Sequence, residues 1–318
     1  MDWISEIVRL TRVQAMLDKR CLLAGATTID IPAYGAGEAP FHLLLDVRCT
    51  IELPDRSVEL VAGDVVLLPG GPAHRVRTAG AGGQGVVEVP GSAFTTVRSR
   101  SGRSVVDLLC GHYTFGSGAG AMLLRSLPDP LHVSFGRSDS YGRSDSYGPG
   151  DSYGRGDEVV RVLSALMRWE ARNEGLGTAT ILSSLCGALL AMVLRASRNR
   201  FVGAAAWTAA DDRRLRPVIE AVLADPAGDW TIARLAEVAA MSRATFVRVF
   251  ARSTGLTVGQ FRTQIRLMIA ADRLIETDLT VAAIAAGVGY ASESAFSRAF
   301  RLATGTTPAH FRRTAPSR

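Results

Sequence analysis

The feature that most constrains the fold is a segment near the C-terminus that occurs twice, fifty residues apart. Residues 243–255 align with residues 293–305, and phenylalanines and arginines fall at the same positions in both copies. The matched pairs are Phe246 and Phe296, Arg248 and Arg298, and Phe250 and Phe300. Self-similarity at a fixed spacing indicates one structural unit that is present twice. The C-terminal part of the chain is therefore expected to contain two related helical units.

Each copy carries the signals of two short helices joined by a tight turn. In the first copy Thr231 can cap one helix, and Ser242 can cap a second helix that ends at Gly255. In the second copy Thr280 and Ser292 take the same places. A helix, a short turn and a capped helix form the helix-turn-helix motif, whose second helix enters the major groove of DNA.

The second helix of each copy has an apolar face and an opposite face of arginines and small residues. An outward arginine near the start of such a helix can donate two hydrogen bonds to guanine O6 and N7. A single arginine would be interpreted as a solvated surface charge, but Arg248 and Arg298 occupy one position in both copies. The residues predicted to contact DNA are Ser242, Ala244, Thr245, Val247, Arg248, Arg252, Ser292, Ser294, Ser297, Arg298 and Arg301.

A continuous helical pattern over 258–276 joins the two copies. A rigid helix there would hold the two units about one DNA turn apart, ~34 Å, so that one chain could contact two successive major grooves. The formal net charge of +6 and the isoelectric point near 9.5 also favour an acidic partner. Double-stranded DNA is therefore the predicted partner of an all-α domain over 213–314.

The first part of the chain changes from helical to β patterning. Residues 3–17 have helical apolar spacing, whereas 21–115 contain short apolar segments separated by glycine and proline. The predicted strands include 41–45, 49–53, 57–61, 65–68 and 85–89. Frequent short strands without intervening helices predict a sandwich or a barrel. The expected fold class is therefore α+β, with a β-barrel domain over 1–135.

Two further segments separate the predicted domains. Residues 136–157 are low in complexity and contain GRSDSY twice, which predicts a flexible linker. Residues 158–203 are predicted to be a helical connector, with a second short linker over 201–212. The connector helices either form a dimer interface or pack only on the β domain, and the sequence leaves both interpretations open.

The four cysteines, Cys21, Cys49, Cys110 and Cys186, are far apart and form no CxxC pair. This spacing argues against a secreted disulfide framework and against a zinc ribbon. Two cations directly precede Cys21, and nearby cations favour a reactive thiolate. Because the first and last strands of a closed barrel are often neighbours, Cys21 and Cys110 could meet. The alternative is that both are small buried apolar residues, the role predicted for Cys49 and Cys186.

Two histidines, His42 and His74, lie in the predicted barrel without a carboxylate at matching spacing, which is a poor set of ligands for a catalytic metal. They either line the core or form a site for a small ligand or a metal ion, and no cofactor is predicted. The sequence contains no nucleophile–base arrangement, P-loop or Rossmann glycine pattern. An enzyme is therefore not expected, although a barrel enzyme with a DNA-binding tail is a third alternative.

The C-terminal motifs resemble a known family. They are similar to the C-terminal domain of AraC/XylS-family transcription regulators. The similarity covers residues 281–301, 305–308 and Phe311-Arg312. One departure is that the first copy has Leu256-Thr-Val where the family has a proline. The resemblance implies a transcription regulator that binds promoter DNA and acts with RNA polymerase, and a homodimer is expected.

The N-terminal motifs carry a second resemblance. Residues 63–74 are similar to the second motif of cupins, which are small β-barrels, while only His42 remains of the first motif. The N-terminal half also contains the motifs Asp18-Lys-Arg-Cys21 and Cys110-Gly111. With these motifs it resembles the cupin-like sensor domains of AraC-type regulators, in particular reactive-chlorine-responsive activators. The resemblance implies that oxidation of Cys21, with a disulfide to Cys110 as one outcome, switches the DNA-binding domain.

No targeting segment is expected. Asp2 and Glu6 lie near the start, with no apolar stretch typical of a signal peptide. The most apolar run, 181–194, is shorter than the ~20 residues that span a bilayer. The predicted location is the cytoplasm.

Overall fold

The computed structural model describes residues 3–80, 85–116, 119–135, 153–197 and 213–314. The chain divides into two compact units. The β unit consists of Gln14–Thr114 and Asp129–Ala196, and the helical unit consists of Met1–Val13, Phe115–Pro128 and Ser197–Arg318. The predicted domain 1–135 therefore contributes two short segments to the helical unit. The α+β fold class is confirmed, with a sheet-rich N-terminal region and a helical C-terminal region.

The strands of the β unit form two sheets. They are β1 (Gln14–Leu23), β2 (Thr28–Ile31), β3 (Glu38–Asp46), β4 (Arg48–Glu52), β5 (Ser57–Val61), β6 (Asp64–Leu67), β7 (His74–Arg77), β8 (Val86–Pro90), β9 (Thr95–Ser99), β10 (Val106–Thr114) and β11 (Leu131–Ser134). One sheet has the order β11-β6-β3-β10-β1-β9-β8, and the other has the order β2-β7-β4-β5. Within the larger sheet β1 pairs antiparallel with β10 and parallel with β9. All five predicted strands are present.

The helix predicted over 3–17 is shorter than expected. Helix α1 spans Trp3–Thr11, and the chain continues as β1 from Gln14. Gln14 pairs with Thr114, and Leu17 pairs with Gly111. The apolar residues between 13 and 17 fit a helical period as well as a strand, and the hydrogen-bonded ladder with β10 decides in favour of the strand.

One buried apolar cluster of the β unit contains three of the four cysteines. Cys21 on β1, Cys49 on β4 and Cys110 on β10 belong to one buried apolar cluster. Their neighbours in this cluster include Leu23, Leu44, Ile51, Leu60, Val66, Val76 and Val97. Inward side chains from both sheets thus meet in one core, as expected for a barrel or sandwich of alternating strands.

Ten further helices occur among the described residues. They are α2 (Ala119–Ser126), α3 (Tyr153–Glu170), α4 (Thr178–Ser197), α5 (Arg216–Ala224), α6 (Ile232–Val238), α7 (Arg243–Thr254), α8 (Val258–Glu276), α9 (Val281–Gly287), α10 (Glu293–Thr304) and α11 (Pro308–Thr314). The predicted connecting helix over 258–276 is therefore confirmed. The predicted linker over 136–157 lies outside the described residues except for its last five, which begin α3. The short linker over 201–212 also lies outside them.

Helix α4 belongs to the core of the β unit. The Tyr113 hydroxyl donates to the carbonyl of Cys186 at 2.8 Å, and the Ser183 hydroxyl donates to the carbonyl of Ala15 at 2.7 Å. By length and composition α4 is also the one described helix that could cross a membrane. Its hydrogen bonds to β1 and β10 instead fit a helix that packs on its own sheet.

Helix α8 is the centre of the helical unit. Besides its contacts with α7 and α9–α11, it contacts α1 and α2. Arg9 and Arg12 of the N-terminal segment lie 3.4 Å and 3.6 Å from the carboxylate of Asp272, and Arg12 also pairs with Glu276. Leu10 is buried. The first residues of the chain therefore complete the surface of the helix that connects the two sequence repeats.

Candidate DNA-reading helices and a buried thiol site

The four helices of the repeated units begin at the predicted caps. The hydroxyls of Thr231, Ser242, Thr280 and Ser292 each accept a hydrogen bond from the backbone N–H three residues later, at 3.1–3.3 Å. The second helix of each copy ends at a glycine in the left-handed conformation, with φ of 66° at Gly255 and 80° at Gly305. Caps of this kind stabilise a helix by ~1 kcal/mol each, so both helix-turn-helix units are defined locally.

The repeated phenylalanines form two equivalent cores. In the first copy the ring of Phe250 lies 5.6 Å from Phe246 and 5.3 Å from Phe261. In the second copy the ring of Phe300 lies 5.5 Å from Phe296 and 5.2 Å from Phe311. All six rings are fully buried in the helical unit. The two sequence copies therefore have the same packing of aromatic side chains. This packing fixes the orientation of the second helix in each copy.

The turn between the two helices is also repeated. The N–H of Met241 donates to the carbonyl of Ala236, and the N–H of Tyr290 donates to that of Ala285, both at 2.9 Å. The residue before each donor has positive φ, 51° at Ala240 and 85° at Gly289. The first copy thus places alanine where the second has glycine, although the left-handed region favours glycine.

The outer faces of α7 and α10 carry the residues predicted to contact DNA. The exposed ones are Ser242, Ala244, Val247, Arg248, Arg252, Ser292, Ser294, Arg298 and Arg301, and the half-buried ones are Thr245 and Ser297. The hydroxyls of Ser242 and Ser292 already accept backbone hydrogen bonds as caps. Arginines and small side chains therefore dominate the accessible face of each helix.

Several other arginines hold the helical unit together, a role that the sequence did not reveal. Arg262 donates to the carbonyl of Trp230 at 2.8 Å, and Arg266 donates to those of Pro226 and Gly289 at 2.7 Å and 3.0 Å. Arg273 and Arg312 likewise donate to backbone carbonyls. These guanidinium groups satisfy backbone carbonyls at helix ends and turns and so stabilise the fold of the helical unit.

In the β unit, the structure brings Cys21 and Cys110 together. Their strands are paired, and their sulfur atoms lie 3.9 Å apart. Both side chains are buried, with 2% and 5% of their surface exposed. The expectation that these two cysteines could meet therefore agrees with the geometry.

The two cations that precede Cys21 in the sequence each pair with a carboxylate in the structure. Lys19 pairs with the Glu88 carboxylate at 2.7 Å. Arg20 points to the opposite face of β1 and donates twice to Asp107, at 3.0 Å and 2.8 Å. Successive side chains of a strand face opposite sides, which separates the Arg20 guanidinium from the thiol.

His42 and His74 lie against this thiol pair. His42 Nδ1 lies 3.1 Å from Cys110 Sγ, and His42 Nε2 lies 2.8 Å from His74 Nε2. His74 Nδ1 lies 2.8 Å from the carbonyl of Pro72. All four ring nitrogens are thus hydrogen-bonded within the protein. In the part of the chain that the structure describes, no three histidine, cysteine or acidic side chains form a group that could hold a metal ion.

The groups of this cluster are held in their neutral forms. Burial, and to a lesser extent the neighbouring His74, lowers the pKa of His42 to about 3. Burial also lowers the pKa of His74. Contact with the Cys21 sulfur and burial raise the pKa of the Cys110 thiol. At neutral pH the cluster therefore contains uncharged imidazoles and a protonated Cys110 thiol.

The remaining two cysteines fit the structural role that the sequence predicts. Burial raises the pKa of Cys49 to about 12, with a smaller contribution from Cys21, and burial raises that of Cys186 to about 12. A protonated, buried thiol behaves as a small apolar side chain. Cys49 nevertheless lies in the same core as Cys21 and Cys110, which sequence spacing alone could not show.

Comparisons with known proteins place these two sites in two recognised domains. A helix-turn-helix domain model matches residues 235–314, and a cupin model matches residues 2–144. The chain is 28% identical over 321 residues to a putative AraC-like transcription regulator of Streptomyces lividans, with 98% of each chain covered. The chain is a transcription regulator that contains an AraC-type helix-turn-helix domain and an N-terminal cupin domain.

Two further relatives support this assignment. An uncharacterized HTH-type transcriptional regulator of Haemophilus influenzae is 28% identical over 316 residues, covering 98% of this chain and 99% of the relative. The RCS-specific HTH-type transcriptional activator RclR of Escherichia coli is 28% identical over 327 residues, covering 98% of this chain and 97% of the relative. These relatives are regulators, in agreement with the expectation that this AraC-type protein is not an enzyme.

Proposed function

We propose that this regulator reads promoter bases through Arg248 on α7 and Arg298 on α10. The observation that carries this proposal is the repeated placement of an exposed arginine at one position of two identically capped helices. Small neighbours such as Ala244 and Ser294 allow close approach of the helix to the groove, and an arginine there can reach guanine O6 and N7.

Binding measurements on the full-length protein test the two arginines. Arg298→Ala is expected to weaken binding to the selected promoter site by ~1–3 kcal/mol and to relax specificity at one base position. Arg248→Ala is expected to act in the same way at a different position. Arg313→Ala is the matched control, because Arg313 is exposed on α11 and outside the reading helices. If Arg298→Ala weakens binding equally on all DNA sequences, Arg298 contacts a phosphate group and not a base.

We infer that the signal is the oxidation of Cys21 and Cys110 to a disulfide. The supporting observation is the 3.9 Å separation of two buried sulfurs on adjacent strands of the cupin domain. The relative from E. coli is named as an RCS-specific activator, which makes an oxidant a reasonable signal for this chain too. Loss of both S–H protons and formation of one S–S bond would reduce a two-electron oxidant.

Peptide mass spectrometry after brief treatment with hypochlorous acid tests this signal. A Cys21–Cys110 disulfide is expected in the wild-type protein, and promoter binding should change with it. Cys21→Ser and Cys110→Ser should each abolish the oxidant response in a reporter strain, whereas Cys186→Ser should retain it. A normal response of the Cys21→Ser variant would rule out this signal.

The alternative signal is a small ligand or a metal ion at His42 and His74. It has less support, because both rings already use their nitrogens in hydrogen bonds within the protein. Native mass spectrometry of protein purified from cells distinguishes the two signals. A stoichiometric bound species that depends on His42 would favour the ligand.

A homodimer formed through α3 is part of this proposal. Val159, Val162, Leu166 and Trp169 on this helix are between 45% and 63% exposed. Their spacing of three, four and three residues places them on one helix face, as in a helix–helix seam. Leu166→Glu should convert the dimer to a monomer, and light scattering measures the change in mass. If the variant remains a dimer, the interface does not lie on this face of α3.

RNA polymerase and a cytoplasmic location complete the proposed function. Both are expected of a transcription regulator that acts at promoters. Copurification of RNA polymerase with the DNA-bound protein would test the first, and cell fractionation would test the second.

A further inference from the structure

The hydrogen bonds of the buried cluster have a defined direction. The Pro72 carbonyl can only accept, so His74 Nδ1 carries a proton and donates it. A neutral His74 then has an unprotonated Nε2, which must accept from the N–H at Nε2 of His42. Nδ1 of His42 is left as an acceptor, and the hydrogen bond that it receives comes from the Cys110 thiol. A continuous chain therefore runs from the Cys110 S–H through two imidazoles to a backbone carbonyl.

We propose that His42 and His74 form a proton relay that removes the proton of the Cys110 thiol while its sulfur is being oxidised. This inference rests on the proposed oxidation of Cys21 and Cys110 and identifies Cys110 as the sulfur that reacts first. In that step His42 accepts the proton from the reacting sulfur, and His74 acts as a positioning residue through His42.

The relay is needed because the nucleophile in thiol oxidation is the thiolate, and burial opposes its formation. As the S–H proton moves to His42 Nδ1, the proton at Nε2 of His42 moves to Nε2 of His74. The positive charge therefore does not remain on His42, which is fully enclosed. The charge passes to His74. The Nδ1–H of His74 donates a hydrogen bond to the Pro72 carbonyl, and this hydrogen bond stabilises the imidazolium form of His74.

The chemical step balances with a hypohalous acid as the oxidant. The Cys110 sulfur bonds to the chlorine of hypochlorous acid, the chlorine–oxygen bond breaks, and the hydroxide that leaves becomes water with the proton released through the relay. The Cys21 sulfur then attacks Cys110, so that an S–S bond forms and chloride leaves with the electron pair. The Cys21 proton goes to solvent. Two thiols are oxidised, and the oxidant is reduced to chloride and water.

Cys21 is placed for the second part of this reaction. With the Cys110 S–H directed to His42, the Cys21 sulfur lies 3.9 Å from the Cys110 sulfur. The Cys21 sulfur therefore already lies next to the atom that it must attack. It has no imidazole of its own among the hydrogen bonds of the described residues.

Rapid-quench kinetics on the full-length protein test the relay. The rate constant for formation of the Cys21–Cys110 disulfide is measured with limiting hypochlorous acid and peptide mass spectrometry. His42→Gln and His74→Gln should each slow this reaction by at least ~10-fold, since a positioned base contributes about 10²–10⁴-fold. His112→Gln is the matched control, because His112 lies on the same strand, two residues from Cys110, and pairs with Asp18 at 2.8 Å. It should leave the rate within about twofold of the wild type.

A second measurement needs no variant and covers the case in which a glutamine substitution disturbs folding. The wild-type rate is measured in mixtures of H₂O and D₂O. Two protons in motion predict a curved dependence on the deuterium fraction, and a linear dependence would overturn the relay.

The possible failures are distinguishable. Absence of the Cys21–Cys110 disulfide in the oxidised wild-type protein would defeat the proposed signal itself. Formation of this disulfide at an unchanged rate in both folded glutamine variants would defeat only the relay. A stoichiometric metal ion in the purified protein that is lost with His42→Gln would also overturn the relay, because the relay needs both ring nitrogens of His42 and the metal ion would occupy one of them.

Discussion

The two units of the molecule keep their polar chemistry in opposite places. In the helical unit, the arginines proposed to contact DNA lie on the exposed faces of α7 and α10, above cores that consist mainly of apolar and aromatic side chains. In the β unit, the thiols, the imidazoles and the Arg20–Asp107 pair are enclosed. A surface group is free to bind a macromolecule, whereas a buried group can respond only to a small reagent or a proton. The difference fits a helical unit that binds DNA and a β unit that is proposed to sense a signal.

The comparison predicts its largest effect for the enclosed ion pair of the β unit. Asp107→Ala should lower the free energy of unfolding by about 3–5 kcal/mol, because it leaves the Arg20 guanidinium buried without a counter-charge. Urea unfolding monitored by circular dichroism measures the loss. Asp55→Ala removes an exposed pair with Arg56 and should cause no measurable change. Similar losses in both variants would contradict the contrast between enclosed and exposed charges.

The second effect is a loss of stability in acid that comes from His42. The pKa of His42 is about 3 in the folded protein, below the ordinary value for histidine. At a pH between these two values His42 is neutral in the folded protein and protonated in the unfolded chain, so unfolding takes up a proton. The contribution of His42 is complete above the unfolded pKa near 6.5 and declines by roughly 1.4 kcal/mol per pH unit below it, until the folded pKa is reached. Urea unfolding between about pH 7 and pH 4 measures the slope. His42→Gln should flatten it and His310→Gln, in the helical unit, should not.

A smaller effect is expected at the caps of the helical unit. Thr280→Ala should reduce the free energy of unfolding by ~1 kcal/mol, because the N–H of Ala283 loses its hydrogen-bond acceptor. Thr280→Ser keeps a hydroxyl at the cap and should retain most of the stability. If both substitutions cost the same, packing of the threonine methyl group, and not the cap, stabilises this helix.

The smallest effects have opposite signs in the two repeated turns. Ala240→Gly should raise the free energy of unfolding by about 0.5–1 kcal/mol, because φ of 51° favours glycine. Gly289→Ala should lower it, since φ is 85° and the added Cβ would lie 2.6 Å from the Arg266 guanidinium and 2.9 Å from Ala227. Thermal unfolding of the two variants compares them directly. A destabilised Ala240→Gly variant would mean that the two turns are not equivalent.

The helical unit was largely predictable because its signals are local. Thr231 and Ser242 cap helices within three residues of themselves, and Gly255 ends a helix by its own backbone conformation. The buried face of each helix also follows from the spacing of its phenylalanines. The roles of Arg262 and Arg266 were missed, since their acceptors are carbonyls more than twenty residues away.

The thiol site was only partly predictable because it depends on pairing between distant strands. Cys21 and Cys110 were expected to meet, and the pairing of β1 with β10 brings them together. The contact of Cys110 with His42 depends on the register of β10 against β3, in which these two residues are directly paired. A shift of one residue would turn His42 to the other face of its strand, and no local signal in the sequence fixes that register.

The contacts of α1 and α2 with α8 affect how the DNA-binding part of this protein can be isolated. Leu10 on α1 and Leu123 on α2 are buried, and both helices lie far from residue 213 in the sequence. A fragment that starts at residue 213 would lack both of these helices and expose apolar surface of α8 to water. Low solubility of that fragment would then reflect the missing N-terminal coverage, and DNA affinities measured on it would describe an incomplete domain.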